Sequence, residues 1–202
     1  MTLGWELVGA LAAERRVLDH LVIQVGGGAL ASAVMQAFDE ARELGAIGRL
    51  PRIHTVQTRS AYPLARAHER LVAEVGPDPD RAAIDEAVAT AARHRSRYMW
   101  PWETRPRSVA HGILDDETYD WLAVAGGMLR TGGRPVVVDE DTLRAANRLA
   151  RAATGIDVDH TGSAGLAGVT ELMRDGVIGP SETTAVIFTG VRRESPANGG
   201  QP

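Results

Sequence analysis

Apolar residues along this chain recur with two different periods, and the points where one gives way to the other mark its elements. Leu3, Leu7, Val8 and Leu11 are spaced to make one face of a helix over Thr2–Ala13. Leu21, Val22, Ile23 and Val25 form a short β-prone run that Gly26, Gly27 and Gly28 break at once. From Ala29 the pattern turns helical, with Leu30, Val34, Phe38 and Ala41 on one face, as far as about Leu44. Gly45 and Gly48 are stop signals, with Pro51 beyond them. Arg52–Gln57 reads as a second strand and Pro63–Val75 as the next helix, closed by Gly76-Pro77.

The stretch at about 76–110 is less regular and reads as an insertion. Asp80–His94 is alanine-rich and polar enough for a surface helix, and then Tyr98, Trp100 and Trp102 fall close together beside Pro101 and Pro106. The prolines predict a loop or interaction segment. Its aromatics form either an exposed binding surface or a satellite cluster folded onto the domain. Asp115-Asp116-Glu117 is expected to head a helix running through about Leu129, since carboxylates suit a helix N-terminus. Pro135–Val138 reads as a third strand, Asp141 to about Ala153 as a helix, and Ile156–Val158 as a short fourth strand. Gly162–Gly168 opens a helix to Arg174, Thr184–Thr189 is the expected fifth strand, and residues 193–202 form a polar tail expected to be disordered.

Strands alternating with helices predict an α/β domain over 1–192: an open, mostly parallel twisted sheet with helices on both faces. In such sheets ligands bind at the carboxyl ends of the strands. That rule gathers Gly26–Gly28, the 158–165 loop and Thr189-Gly190 onto one rim.

A strand, a glycine turn and a helix start together make an anion site, because unpaired N–H groups and the positive end of the helix dipole converge there. Three glycines allow a phosphate to approach the backbone with no Cβ in the way. Gly26-x-Gly28-x-x-Ala31 also fits a dinucleotide fingerprint, but the next strand ends in Gln57, Thr58 and Arg59 without the acidic residue that holds a ribose. A nucleotide P-loop needs a lysine, and the sequence has none. The plain alternative is a glycine turn that only packs a helix on a sheet.

Other chemistry finds little support. Thr161-Gly162-Ser163-Ala164-Gly165 lacks the first glycine of a nucleophile elbow, which leaves Ser163 as a helix N-cap or an anion contact. The six histidines have no metal-ligand spacing, and Asp157 and Asp159 have no partners at calcium-loop spacing. With no cysteine there is neither a disulfide nor a thiolate metal site. All 22 basic residues are arginine, so no side chain carries a primary amine for Schiff-base chemistry. They are interspersed with acids at a net charge of −4, which argues against a nucleic-acid surface. No apolar run is long enough to span a membrane, and the first residues lack the layout of a signal peptide. A cytoplasmic protein is expected.

VGGGALAS after a strand, IHTVQT followed by a helix with Pro63-Leu64-Ala65-Arg66-Ala67, HGILDDETYDW, PVVVDE, TGSAGLAGV and the closing AVIFTG together resemble the threonine-synthase-like branch of fold type II pyridoxal-phosphate enzymes. The resemblance runs from about Thr2 to Gly190 and implies the large domain of that fold. It implies that Gly26, Gly27, Gly28, Ala29 and Leu30 hold the phosphate of pyridoxal phosphate; Ser163 and Gly190 are expected among the cofactor-binding residues. Ala29 stands where many relatives have a further glycine. It implies that Thr189 faces the pyridine nitrogen, although Val191-Arg192 departs from the usual continuation. In that family the lysine that binds the cofactor comes from an N-terminal half with no counterpart here. The resemblance therefore implies one subunit of a split enzyme, in which a lysine-bearing partner chain completes an amino-acid site for β-elimination or β/γ-replacement. A non-catalytic partner that keeps the fold, or a dinucleotide-binding domain, are the alternatives.

Overall fold

The structure, a computed structural model, describes residues 1–191; the tail expected at 193–202 lies outside the described residues. Among the described residues four strands, β1 (His20–Gln24), β2 (Arg52–Thr58), β3 (Pro135–Val138) and β4 (Thr184–Val186), form one sheet in the order β3-β2-β1-β4. Each pairing is parallel: His20 sits opposite Arg52 and Thr184, and Thr55 opposite Pro135. Seven α-helices accompany them there: α1 (Thr2–Ala13), α2 (Ala29–Glu43), α3 (Pro63–Val75), α4 (Arg81–Arg93), α5 (Trp121–Thr131), α6 (Glu140–Thr154) and α7 (Ala164–Arg174).

The pleat of β1 sends alternate side chains into two cores. Leu21 and Ile23 join Val34 and Phe38 of α2, Leu64 and Leu71 of α3, and Val124 and Met128 of α5. Val22 points the other way, to Val56, Leu143 of α6 and Ala167 and Leu172 of α7. Both faces of the sheet are thus covered, as a parallel sheet requires. The expected three-layer α/β architecture is the one observed.

Local chemistry fixes the helix ends. Asp139 accepts from Thr142 N–H at 2.9 Å to start α6, and Gly155 ends it in the left-handed conformation. Asp80 caps α4 in the same way, through Ala83 N–H at 2.8 Å. α3 begins with Pro63 and has a remote cap: Gln57 Oε1, at the end of β2, accepts from the N–H groups of Leu64 (3.0 Å) and Ala65 (3.1 Å). In the sequence Gln57 stands out only for the absence of a ribose-binding acid; its amide in fact satisfies two helix-start donors that would otherwise be buried unpaired.

Three expectations are corrected. α5 does not start at Asp115; it starts at Trp121, because residues 113–120 are drawn over the glycine loop, where Asp120 N–H donates to Gly27 C=O at 3.0 Å. Ile156–Val158 is not a strand; Val158 makes only an isolated antiparallel bridge to Val191. β4 stops at Val186 rather than Thr189, since the chain beyond is tied to the 159–163 loop, with Asp159 N–H donating to Gly190 C=O at 3.1 Å. The aromatic segment, for its part, folds back onto the domain. Tyr98 is 2% exposed, stacks on Trp121 at 5.8 Å and donates its hydroxyl proton to Glu74 at 2.6 Å. Trp100 and Trp102 are half-buried beside the Arg66 guanidinium, 3.7 and 4.9 Å from the two rings.

Candidate functional site

β1 delivers Gly26–Gly28 to the carboxyl edge of the sheet, and Gly28 turns the chain into α2 with φ +96°, a conformation that strains any residue with a Cβ. Ser32 N–H is bonded back to Gly28 C=O at 2.9 Å. The amides at the very start of a helix precede that ladder and have no partner within it, so those around Ala29 and Leu30 converge at its positive end. Ala29 is exposed and Leu30 half-buried, so this helix start is open to solvent.

The segment 111–120 crosses over this loop like a strap. A Cβ at Gly26 would run into the Asp115 carboxylate and come within 3.1 Å of Ile113 Cα. One at Gly28 would meet the Thr118 methyl at 3.0 Å, and one at Gly27 only the edge of the Tyr119 ring, at 3.1 Å. Thr118 is fully buried and its hydroxyl accepts from Gln57 Nε2 at 3.5 Å, linking the strap to the cap of α3. Gly112 N–H donates to Thr161 Oγ1 at 3.0 Å, linking it to the 159–163 loop.

That second loop is built tightly. Asp159 Oδ1 accepts from Gly162 N–H at 2.6 Å, and its carboxylate lies where a Cβ on Gly190 would be. Asn147, on α6, donates through Nδ2 to Val158 C=O and to Ser163 Oγ, both at 2.9 Å. Ser163 in turn donates to Asp159 C=O at 2.8 Å. Ser163 is fully buried and its hydroxyl is committed in both directions, so it belongs to the loop's framework rather than to a ligand contact. It does occupy the N-cap position of α7, though without a side-chain capping bond.

Thr189 is the exposed end of the rim. Its N–H reaches Gly162 C=O at 3.4 Å, and its Oγ1 accepts from Gln24 Nε2 at 2.6 Å. Gln24, the last residue of β1 and only 5% exposed, therefore joins the glycine loop to Thr189. Nothing in the sequence marks it, because a polar residue closing an apolar strand carries no motif. The only available signal was that such a residue, once buried, must find partners.

The rim thus assembles the glycine loop, the strap, the 159–163 loop and Thr189-Gly190, as the rule of strand carboxyl ends led one to expect. The helix start offers main-chain amides, the kind of donor a phosphate monoester takes, and against Gly27 stands only the exposed Tyr119 ring. No metal-binding cluster of His, Cys, Asp or Glu occurs among the described residues, and none of their helices is long and apolar enough to cross a membrane.

Residues 1–190 match the profile of the family described as pyridoxal-phosphate dependent enzyme. A threonine synthase of Methanosarcina acetivorans is 28% identical over 189 residues, covering 94% of this chain and 40% of its own length. A cysteate synthase of Methanoculleus marisnigri is 28% identical over 190 residues, covering 93% of this chain and 40% of its own length. The chain thus spans about 40% of the length of the curated relatives it matches. Among solved structures, an L-serine ammonia-lyase from Rhizomucor miehei superposes with a TM-score of 0.64 at 17% identity, covering 94% of this chain and 51% of that one. A threonine deaminase isoform from Solanum lycopersicum gives 0.65 at 13% identity, covering 95% of this chain and 45% of that one. Both share the fold. The chain belongs to the pyridoxal-phosphate-dependent enzyme family, in its fold type II branch.

Proposed function

We propose that this chain is the cofactor-phosphate-holding subunit of a cytoplasmic pyridoxal-phosphate-dependent enzyme, and that a second chain supplies the lysine. The observation that carries this reading is an anion-receiving helix start sharing a rim with an exposed hydroxyl residue, Thr189, in a chain without lysine. Gly26, Gly27, Gly28, Ala29 and Leu30 hold the phosphate through main-chain N–H groups. Thr189 faces the ring nitrogen, and Gly190 keeps the backbone close to the rim. Bound there, pyridoxal phosphate supplies an electron sink for chemistry on the carbons next to an amino group. A neutral hydroxyl at the ring nitrogen makes that sink weaker than a carboxylate would, which suits β-elimination or β/γ-replacement on an amino acid. The relatives named threonine synthase and cysteate synthase support an amino-acid substrate.

Borohydride trapping tests the proposal. Alone with pyridoxal phosphate, the chain is expected to leave no reduced adduct on any side chain, as peptide mapping would show. Mixed with a lysine-bearing relative of complementary length, it is expected to form a stable complex whose adduct sits on the partner's lysine and whose activity neither chain has alone. Full activity from this chain by itself would overturn the reading. A stable complex whose turnover is indifferent to the glycine loop would favour the non-catalytic partner instead.

A further inference from the structure

We infer that Gln24 is a positioning residue that sets the direction of the Thr189 hydrogen bond, making its hydroxyl a donor toward the ring nitrogen of the cofactor. The inference rests on the proposed placement of Thr189 and adds to it the residue that enforces its hydrogen-bonding sense.

Geometry fixes the orientation of the Gln24 amide. One of its terminal atoms lies 3.3 Å from Gly162 C=O and 2.6 Å from Thr189 Oγ1. A carbonyl oxygen can only accept, so the atom facing Gly162 must be the nitrogen. Its two hydrogens are then both assigned, one to Gly162 and one to Thr189. The amide oxygen, buried and without a protein partner, is left on the side of Gly165, 3.1 Å from where a Cβ there would sit. Gly165 is in the first turn of α7, whose positive end favours an oxygen over an amide nitrogen.

Thr189 Oγ therefore accepts from Gln24, and its own proton is left for another acceptor. Accepting one hydrogen bond polarises an O–H, making it a better donor and a poorer acceptor. A pyridine nitrogen meeting this hydroxyl is stabilised in its unprotonated form. The neighbouring carboxylate, Asp159, is turned toward its own loop by Gly162 N–H. The weak electron sink thus traces to an amide at the end of β1, opposite a hydroxyl that lies 165 residues further along the chain.

The probe is pyridoxine 5′-phosphate labelled with ¹⁵N in the ring. It has an alcohol in place of the aldehyde, so it binds without a lysine. With the parent chain, the nitrogen chemical shift is expected at the unprotonated position. Gln24→Leu removes the donor and is expected to move the shift toward the protonated position and weaken binding roughly 3- to 10-fold, as for the loss of one hydrogen bond. Gln24→Glu offers Thr189 an acceptor instead and is expected to move the shift further the same way. Thermal unfolding of each variant confirms that it is folded. If Thr189→Val changes the shift and either folded Gln24 variant does not, the role of Gln24 is overturned while that of Thr189 stands. If Thr189→Val changes neither shift nor affinity, the placement of Thr189 itself is wrong. A protonated nitrogen in the parent complex also overturns the inference.

Discussion

The glycines of the loop are not equivalent residues. Gly26 and Gly28 are needed by the fold itself: one lies beneath the Asp115 carboxylate, and the other combines φ +96° with the Thr118 methyl at contact distance. Packing accounts for both with no ligand present. Gly27 is different, because a side chain there meets only Tyr119, which is 67% exposed and free to swing away. Gly27→Asp is therefore the informative substitution. It places a like charge at the helix start and is expected to abolish binding of pyridoxal phosphate or inorganic phosphate, with little loss of stability. Isothermal titration and a melting curve check the two halves of that statement. Equal phosphate affinity in variant and parent would remove the anion site.

At the scale of elements, α1, α2, α3 and α6 were legible in the sequence and match their expected spans to within a residue or so. What was not legible depends on distant partners. The acidic run at Asp115–Glu117 has the composition of a helix start, yet it serves as a strap because the glycine loop beneath it takes the Asp120 N–H. The cap of α3 was likewise hidden, since Gln57 lies on a different element from the amides it satisfies. The glycine loop and Thr189 were visible as candidates, whereas the role of Gln24 needed the β1 end and the Thr189 segment brought together. Gln57→Leu is expected to destabilise the domain by about 2–4 kcal/mol, because two buried helix-start N–H groups lose their acceptor. Chemical denaturation measures it; a loss below about 0.5 kcal/mol, the level of an ordinary surface change, would contradict the capping role.

For the molecule as a whole, the sheet conceals a pair of histidines. His54 Nδ1 accepts from Arg134 N–H at 3.2 Å, so its proton is on Nε2, 3.1 Å from His20 Nδ1. That places the His20 proton on Nε2, facing Glu182 at 3.2 Å. Burial, reinforced by His20 alongside, holds the His54 pKa down to about 4, and burial alone does the same for His68. The unfolded chain takes up these protons near pH 6.5, while the folded one refuses them until about pH 4. Stability should therefore fall as the pH drops through that window, by up to about 3 kcal/mol for each histidine. The low pKa values of Asp19 and Asp139 act only below that range. Melting temperatures between pH 7 and pH 4 should show the decline, and His54→Gln, which can keep both hydrogen bonds, should flatten it. An unchanged slope would acquit His54.

The pairing of β1 with β4 has a consequence for synthesis. Asp19, just ahead of β1, accepts from Arg52 N–H through its C=O and from Thr183 N–H, 164 residues away, through Oδ2. Gln24 and Thr189 are 165 apart. A chain still being made thus carries β1 with one edge unpaired until almost all of the domain has left the ribosome, and contacts of such separation form slowly. The glycine loop is made long before Thr189, so on the proposed reading a nascent chain has its phosphate site well before the hydroxyl meant for the ring nitrogen.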